Sequence, residues 1–266
     1  MSESLRMAVA VLGNAASVSL YAAPTVTFKR VIRKKSTEEF SCVPYIIGLL
    51  NCLLFTWYGL PIVSYKLENF PLVTVNGVGI VLELSYVLIY LWYASPKGKV
   101  KVAMVGIPAL LVFTAAALVS SFGIQEHRSR KLLVGSIGLV VSVAMYGSPL
   151  VVMKKVIQTK SVEFMPLPLS MCSFFASALW LTYGIIIRDI FVAGPSVIGT
   201  PLSILQLVLH CKYWKREEPN KGDLEKGNLE KVSLEKVGLE MGNTEKDMTN
   251  QSNGNSVNKD SVDGKC

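Results

Sequence analysis

Residues 21–38 read YAAPTVTFKRVIRKKSTE, and residues 146–163 read YGSPLVVMKKVIQTKSVE. At a constant offset of 125, nine of these eighteen positions are identical: Tyr, Pro, Val, Lys, Val, Ile, Lys, Ser and Glu. The register continues beyond this stretch, since Leu54, Tyr58 and Gly59 fall on Leu179, Tyr183 and Gly184. Soluble solenoids repeat at shorter periods and usually in three or more copies. A single long-period duplication in an apolar chain predicts instead a pair of helical units about a pseudo-two-fold axis. Membrane transporters are commonly built in this way, with the substrate held between the halves.

The composition around the repeat agrees. Apolar residues make up 51% of the 266 and charged residues 17%, against about 25% charged in an ordinary soluble domain. Seven stretches approach or exceed the roughly 20 apolar residues needed to cross a bilayer: about 5–28, 42–63, 70–93, 102–122, 132–153, 166–187 and 190–212. In lipid the backbone must satisfy its own polar groups, so these are helices. The stretch 102–122 lacks the polar stripe that a helix of a soluble protein would carry. The fold class read here is therefore an all-α membrane protein. Its seven transmembrane helices form two parallel three-helix repeats joined by a linker helix. The expected units are 5–93, 102–122 as linker, 132–213, and a tail at 214–266. The odd linker is what gives both repeats the same direction across the membrane.

Basic residues predict the orientation. Lys29, Arg30, Arg33, Lys34, Lys35, Lys97, Lys99, Lys101, Lys154, Lys155, Lys160, Lys212, Lys215 and Arg216 fall on one side, and only Arg6, Lys66, Arg128, Arg130, Lys131 and Arg188 on the other. The positive-inside rule places the amino terminus outside and the tail in the cytoplasm. The net charge of +8 is thus a topology signal, and nucleic acid is not an expected partner. The first helix lacks an A-x-A-like cleavage site and belongs to the repeat, so no separate signal peptide is expected. Cys42, Cys52, Cys172, Cys211 and Cys266 show no C-x-x-C spacing and no extracellular pair, which argues against a disulfide framework or a zinc site. The one N-x-S/T sequon, at residues 250–252, lies in the predicted cytoplasmic tail. That tail is rich in Lys, Glu, Gly, Asn and Ser, and its Leu-Glu pairs at 224, 229, 234 and 239 keep no helical face. It reads as disordered, with a trafficking or partner-binding role as the alternative.

The segments YAAP, KSTEEFSCVPY, NCLLFTWYGLP and VNGVG in the first half, with MYGSP, KSVEFMPLP and LWLTYG in the second, resemble the SWEET sugar transporters of plants. The resemblance spans residues 5–213. It implies bidirectional, facilitated sugar movement by alternating access, without a cofactor or bound metal, in a bilayer that is most simply the plasma membrane, with the vacuolar membrane as alternative. A homo-oligomer is left open. Pro24, Pro44, Pro149 and Pro166 match the family's proline tetrad, one in each of helices 1, 2, 5 and 6. A proline removes a backbone hydrogen bond and clashes with the preceding turn, so they read as hinges. Asn76 matches a pocket asparagine, whose amide both donates and accepts. Its second-half counterpart is Ser196, where the family has another asparagine. Trp180 matches the tryptophan that stacks on the sugar, with Phe55 as its first-half equivalent. Leu20, Asn51, Met145 and Ala176 match pocket positions linked to sugar size. The repeat pairs Leu20 with Met145 and Asn51 with Ala176, and the bulk of Leu20, Asn51 and Met145 favours a hexose such as glucose over sucrose. Tyr58 and Asp189 match an extracellular gate.

Glu83 is the acidic residue deep in a membrane helix, a position that is a functional hypothesis by default. We read it as a protonated carboxyl hydrogen-bonded between helices. The alternative, a proton carrier, would make the chain a proton-coupled sugar exporter. A seven-helix receptor shares the helix count, but the duplicated halves, very short loops and absence of Asp-Arg-Tyr or Asn-Pro-x-x-Tyr speak against it. His127 and His210 are isolated, and no catalytic constellation is evident, so no enzyme activity is expected.

Overall fold

The computed structural model describes residues 3–38, 40–65, 69–163 and 165–214. The tail from 215, with Lys215, Arg216, Cys266 and the sequon, and Lys66 in the third loop, lie outside the described residues. Among those described, all regular structure is helical. The order is α1 (Glu3–Ala22), α2 (Thr25–Lys34), α3 (Val43–Gly59), α4 (Phe70–Tyr93), α5 (Pro96–Leu118), a π-turn (Val119–Gly123), α6 (His127–Met145), α7 (Gly147–Thr159), α8 (Leu167–Ile186) and α9 (Ile190–Trp214).

Nine α-helical segments make seven spans, because the first and fifth are each broken once. Six runs are long and apolar enough to cross a bilayer, including Glu3–Lys34 and His127–Thr159, and Val43–Gly59 is a shorter apolar seventh. The expected limits shift at these breaks. The first span runs to Lys34 and the fifth to Thr159, beyond the apolar stretches that marked them. The first ends on Arg33 and Lys34 in its last turn, and the fifth carries Lys154 and Lys155 about a turn before its end. The linker also starts earlier than its apolar run, at Pro96. Ser95 caps it by accepting from Gly98 N at 3.3 Å, and proline at the first helical position loses no bond.

Packing follows the duplication. Within the first repeat α4 lies against both α1 and α3, and within the second α9 lies against both α6 and α8. The repeats meet along two matched seams, α1 on α8 and α3 on α6. The linker α5 leans mainly on α3. Lipid is as apolar as a leucine core, so helices in a membrane associate through close packing and small residues. The seams show this. A Cβ on Gly13 would lie 3.5 Å from the Trp180 indole, and one on Gly138, its repeat mate, 3.3 Å from the Phe55 ring. Gly184 is closer still to its neighbour: a Cβ there would lie 2.5 Å from Ala193 N.

The repeat extends to the helix ends. Lys35 and Lys160 both close their helices in the left-handed region, at φ 50° and 57°. The serine that follows each accepts from the backbone N–H two residues on, Glu38 N at 3.2 Å and Glu163 N at 3.3 Å. In the first copy, hydrogen bonds from Lys34 and Arg30 hold the Glu38 carboxyl below its ordinary titration range.

One expectation is corrected here. Glu83 is buried, yet its Oε2 has no hydrogen-bond partner among the described residues. Its carboxyl packs on Gly48, where a Cβ would come within 2.9 Å of Oε1. It is sheltered between α3 and α4 by a missing side chain, with no bond to Oε2 from a neighbouring helix.

Candidate substrate cavity and gate

A cavity of about 260 Å³ lies between the repeats, near the middle of α3, of α8 and of the two broken spans. All eight residues expected to bind substrate line it: Leu20, Asn51, Phe55, Asn76, Met145, Ala176, Trp180 and Ser196. They come from α1, α3, α4, α6, α8 and α9, three helices of each repeat. The remaining wall includes hydroxyls that sequence reading passed over, among them Ser17, Ser142, Ser173 and Ser177, and the phenols Tyr21 and Tyr146. A signal for four of these was present, since Ser17 pairs with Ser142 and Tyr21 with Tyr146 at the repeat offset. Identity in a duplicated chain marks positions that face the shared axis as well as positions that shape the helix.

Hydrogen bonds across the seams determine what each side chain offers. Trp180 Nε1 donates to Ser17 Oγ at 2.9 Å, so the indole presents its apolar face with its only donor already used. The matching serine in the other half, Ser142, instead donates from its Oγ to Asn51 Oδ1 at 2.7 Å, which leaves the Asn51 N–H groups as donors. Asn76 gives one N–H to Leu72 O at 2.9 Å and accepts from Tyr21 Oη at 3.4 Å. One N–H and part of its acceptor capacity remain. Tyr146 instead donates to Pro195 O at 2.7 Å, beside Ser196, whose hydroxyl is shorter than an amide. The two phenols occupy like niches: the Tyr21 ring would meet a Cβ on Gly79 at 3.0 Å, and Tyr146 fills the space above Gly199. The result is apolar faces interleaved with donors and acceptors, suited to a small polyhydroxylated molecule.

The cavity is closed toward the amino-terminal end of α1. There Tyr58 Oη lies 2.8 and 2.7 Å from the two carboxylate oxygens of Asp189. Asn69 Nδ2 reaches the same carboxylate at 3.4 Å and Lys131 Nζ at 3.7 Å. Asp189 also accepts from Phe191 N at 3.1 Å and Val192 N at 3.4 Å, the unpaired donors at the start of α9. It is thus a cap and a cross-bundle partner together, with a side chain 9% exposed. Arg130 braces the same end, donating to Ile124 O at 2.7 Å and Ile62 O at 2.9 Å.

The four prolines fall into two kinds. Pro24 sits in the break between α1 and α2, and Pro149 in the first turn of α7, just past the break at Tyr146. Pro44 is in the first turn of α3 and Pro166 is the cap residue before α8. At a helix start proline forfeits no hydrogen bond. Bends inside helices two and six, expected from the tetrad, are not seen, and Pro44 and Pro166 stand at the helix starts instead. The described residues contain no group of three or more His, Cys, Asp or Glu placed to hold a metal ion.

A mostly apolar cavity set with amides and hydroxyls, inside a duplicated bundle of apolar helices and beside a cross-bundle hydrogen-bond cluster, fits a multi-pass membrane carrier. The family model described as "Sugar efflux transporter for intercellular exchange" matches residues 7–98 and again 132–218, once per repeat. The chain belongs to this family, the SWEET transporters. It is 56% identical over 218 residues to "Bidirectional sugar transporter SWEET3" of Arabidopsis thaliana, covering 82% of this chain and 83% of that one. It is 55% identical over 215 residues to SWEET3b of Oryza sativa subsp. japonica, covering 81% and 85%. Among solved structures it resembles a eukaryotic SWEET transporter determined at 3.7 Å, with a TM-score of 0.75 and 36% identity over 79% of this chain and 97% of that one.

Proposed function

We propose that this chain is a bidirectional sugar transporter that carries hexoses such as glucose as a uniporter by alternating access. The carrying observation is that eight residues from six helices, expected from sequence to bind sugar, line one cavity. At about 260 Å³ that cavity sits below the roughly 300–1,000 Å³ usual for ligand pockets, which favours a monosaccharide over a disaccharide. Asn76, Ser196 and Asn51 supply hydrogen bonds to sugar hydroxyls, Trp180 and Phe55 the flat faces for its C–H surfaces, and Leu20, Met145 and Ala176 the limits of its width. Tyr58 and Asp189 act as the outer gate, and the four prolines as pivots. The excess of Lys and Arg on and after α2, α7 and α9 supports an orientation with the amino terminus outside and the tail in the cytoplasm, and the membrane is read as the plasma membrane.

A sugar-uptake panel in cells lacking their own hexose carriers tests this, run with and without an imposed pH gradient. Glucose uptake that is saturable, reversible in direction and indifferent to the gradient is the expected outcome. Uptake driven by the gradient would replace uniport with proton coupling through Glu83. Signal at internal membranes would favour the vacuolar location.

A further inference from the structure

The two repeats share Ser17 with Ser142 and Tyr21 with Tyr146 at the cavity but differ below it, where each broken span continues as a cytoplasmic arm, α2 or α7. In the first repeat the break frees the carbonyl of Tyr21, and Tyr86 of α4 donates to it at 2.9 Å. The same phenol lies 2.8 Å from Thr25 Oγ1. Since its one proton goes to Tyr21 O, Thr25 is the donor in that second contact. The Tyr86 ring stacks on Phe28 of α2, with centroids 4.7 Å apart and planes at 13°. Tyr45 of α3 closes the cluster edge-on, 4.9 Å from Phe28 and 5.8 Å from Tyr86.

The second repeat has no such cluster at its break; its side-chain contact to α9 lies at the far end of the arm, where Lys160 Nζ donates to Tyr213 Oη at 3.3 Å. The residues at matching positions are Leu150 for Thr25, Met153 for Phe28, Ser170 for Tyr45 and Gln206 for Tyr86. The carbonyl of Tyr146 keeps a helical bond, from Leu150 N at 3.2 Å, and needs no side chain. Arm α7 rests on Met153, Val156, Val162 and Met165 against Leu209 and Tyr213, a surface in which methionine adapts readily to repacking.

Resting on the transport reading above, we propose that Tyr86 is a positioning residue that clamps arm α2 to α4, so that the cytoplasmic side is opened and closed chiefly by α7. A bent carbonyl satisfied by a phenol cannot straighten without losing its partner, and an unpaired backbone group inside a membrane is costly. The break at Tyr146 carries no such side-chain bond.

Nitroxide pairs on the full-length protein in proteoliposomes test this, in a background whose exposed cysteines are serine. One pair, Arg33→Cys with Lys97→Cys, reports α2 against the α4–α5 corner. The other, Gln158→Cys with Lys212→Cys, reports α7 against α9. Saturating glucose is expected to shift or split the second distance distribution and to leave the first within its sugar-free width. Tyr86→Phe, which keeps the ring stack and removes both hydrogen bonds, should make the first pair respond to glucose. It should also lower maximal flux several-fold while half-saturation stays within about twofold, because Tyr86 does not line the cavity. A merely structural role would reduce the yield of folded protein without giving the first pair a sugar response. Equal glucose shifts in both pairs, no shift in either, or a first pair unmoved by Tyr86→Phe would overturn the clamp while glucose flux continues. Absence of glucose flux in the unlabelled native protein would instead remove the transport reading itself.

Discussion

Ser196 is one of the residues at which the cavity departs from two-fold symmetry. Asn76 faces it from the other repeat with an amide, and Ser196 answers with a single hydroxyl at 6% exposure. One added hydrogen bond contributes about 0.5–1.5 kcal/mol net, so Ser196→Asn should tighten half-saturation for glucose by roughly two- to tenfold, since about 1.4 kcal/mol corresponds to tenfold. Transport kinetics and a competition panel check this, and indifference of both would show that Ser196 does not contact sugar. Glycines give a sharper contrast at this scale. Gly184 faces the backbone of Ala193, which cannot move aside as a side-chain tip can, whereas Gly106 has nothing within 4 Å. Gly184→Ala should destabilise the bundle by about 1–3 kcal/mol through overpacking. Gly106→Ala should be neutral or gain up to about 1 kcal/mol of helix propensity. Thermal unfolding of the two variants in detergent, followed by monodispersity, separates them.

At the scale of elements, each broken span contains one proline at its bend, and these bends are where rigid arms meet the packed outer half. Alanine at either position restores an N–H that can bond to the preceding turn, so Pro24→Ala and Pro149→Ala should each slow flux while surface expression persists. The larger loss is expected for Pro149→Ala, because its arm lacks the Tyr86 contacts that hold α2 in place. Turnover equal to wild type at matched surface levels, for both variants, would remove the hinge role. The π-turn at Val119–Gly123 is a comparable irregularity in the linker. Its Ser120 is fully buried and accepts from Trp57 Nε1 at 3.0 Å, which ties the linker to the residue beside Tyr58.

At the scale of the whole molecule, the proposed selection for sugar size rests on walls that no single helix contributes. Leu20, Asn51, Met145 and Ala176 surround one space, so trimming one leaves the others in place and effects need not add. Leu20→Val with Asn51→Ser should enlarge the cavity and shift preference toward sucrose, where each single change does little. Native sucrose flux comparable to glucose would refute this size argument and leave the transporter assignment standing. The pH dependence of flux is also a whole-molecule property. Glu38 titrates below its ordinary value, so its pairing with Arg30 and Lys34 is present above the unfolded value of about 4.3 and lost only as pH falls through the lower folded one. Flux with equal pH on both sides should therefore be flat from about pH 5 to 8. A slope within that window would implicate another group, Glu83 first. The sequence by itself determined the membrane class, the apolar spans and the duplication, and its resemblance to the family pointed to eight of the residues that line the cavity. Span length and apolarity are local quantities, and a repeat shows in register without reference to space. Only the tertiary structure decided that Ser17 holds Trp180 from 163 positions away, that Asn69 and Lys131 join Tyr58 at Asp189, that two of the four prolines start helices instead of bending them, and that the arms differ. Those outcomes depend on which faces meet once helices pack, and helical spacing alone cannot specify a partner on another helix.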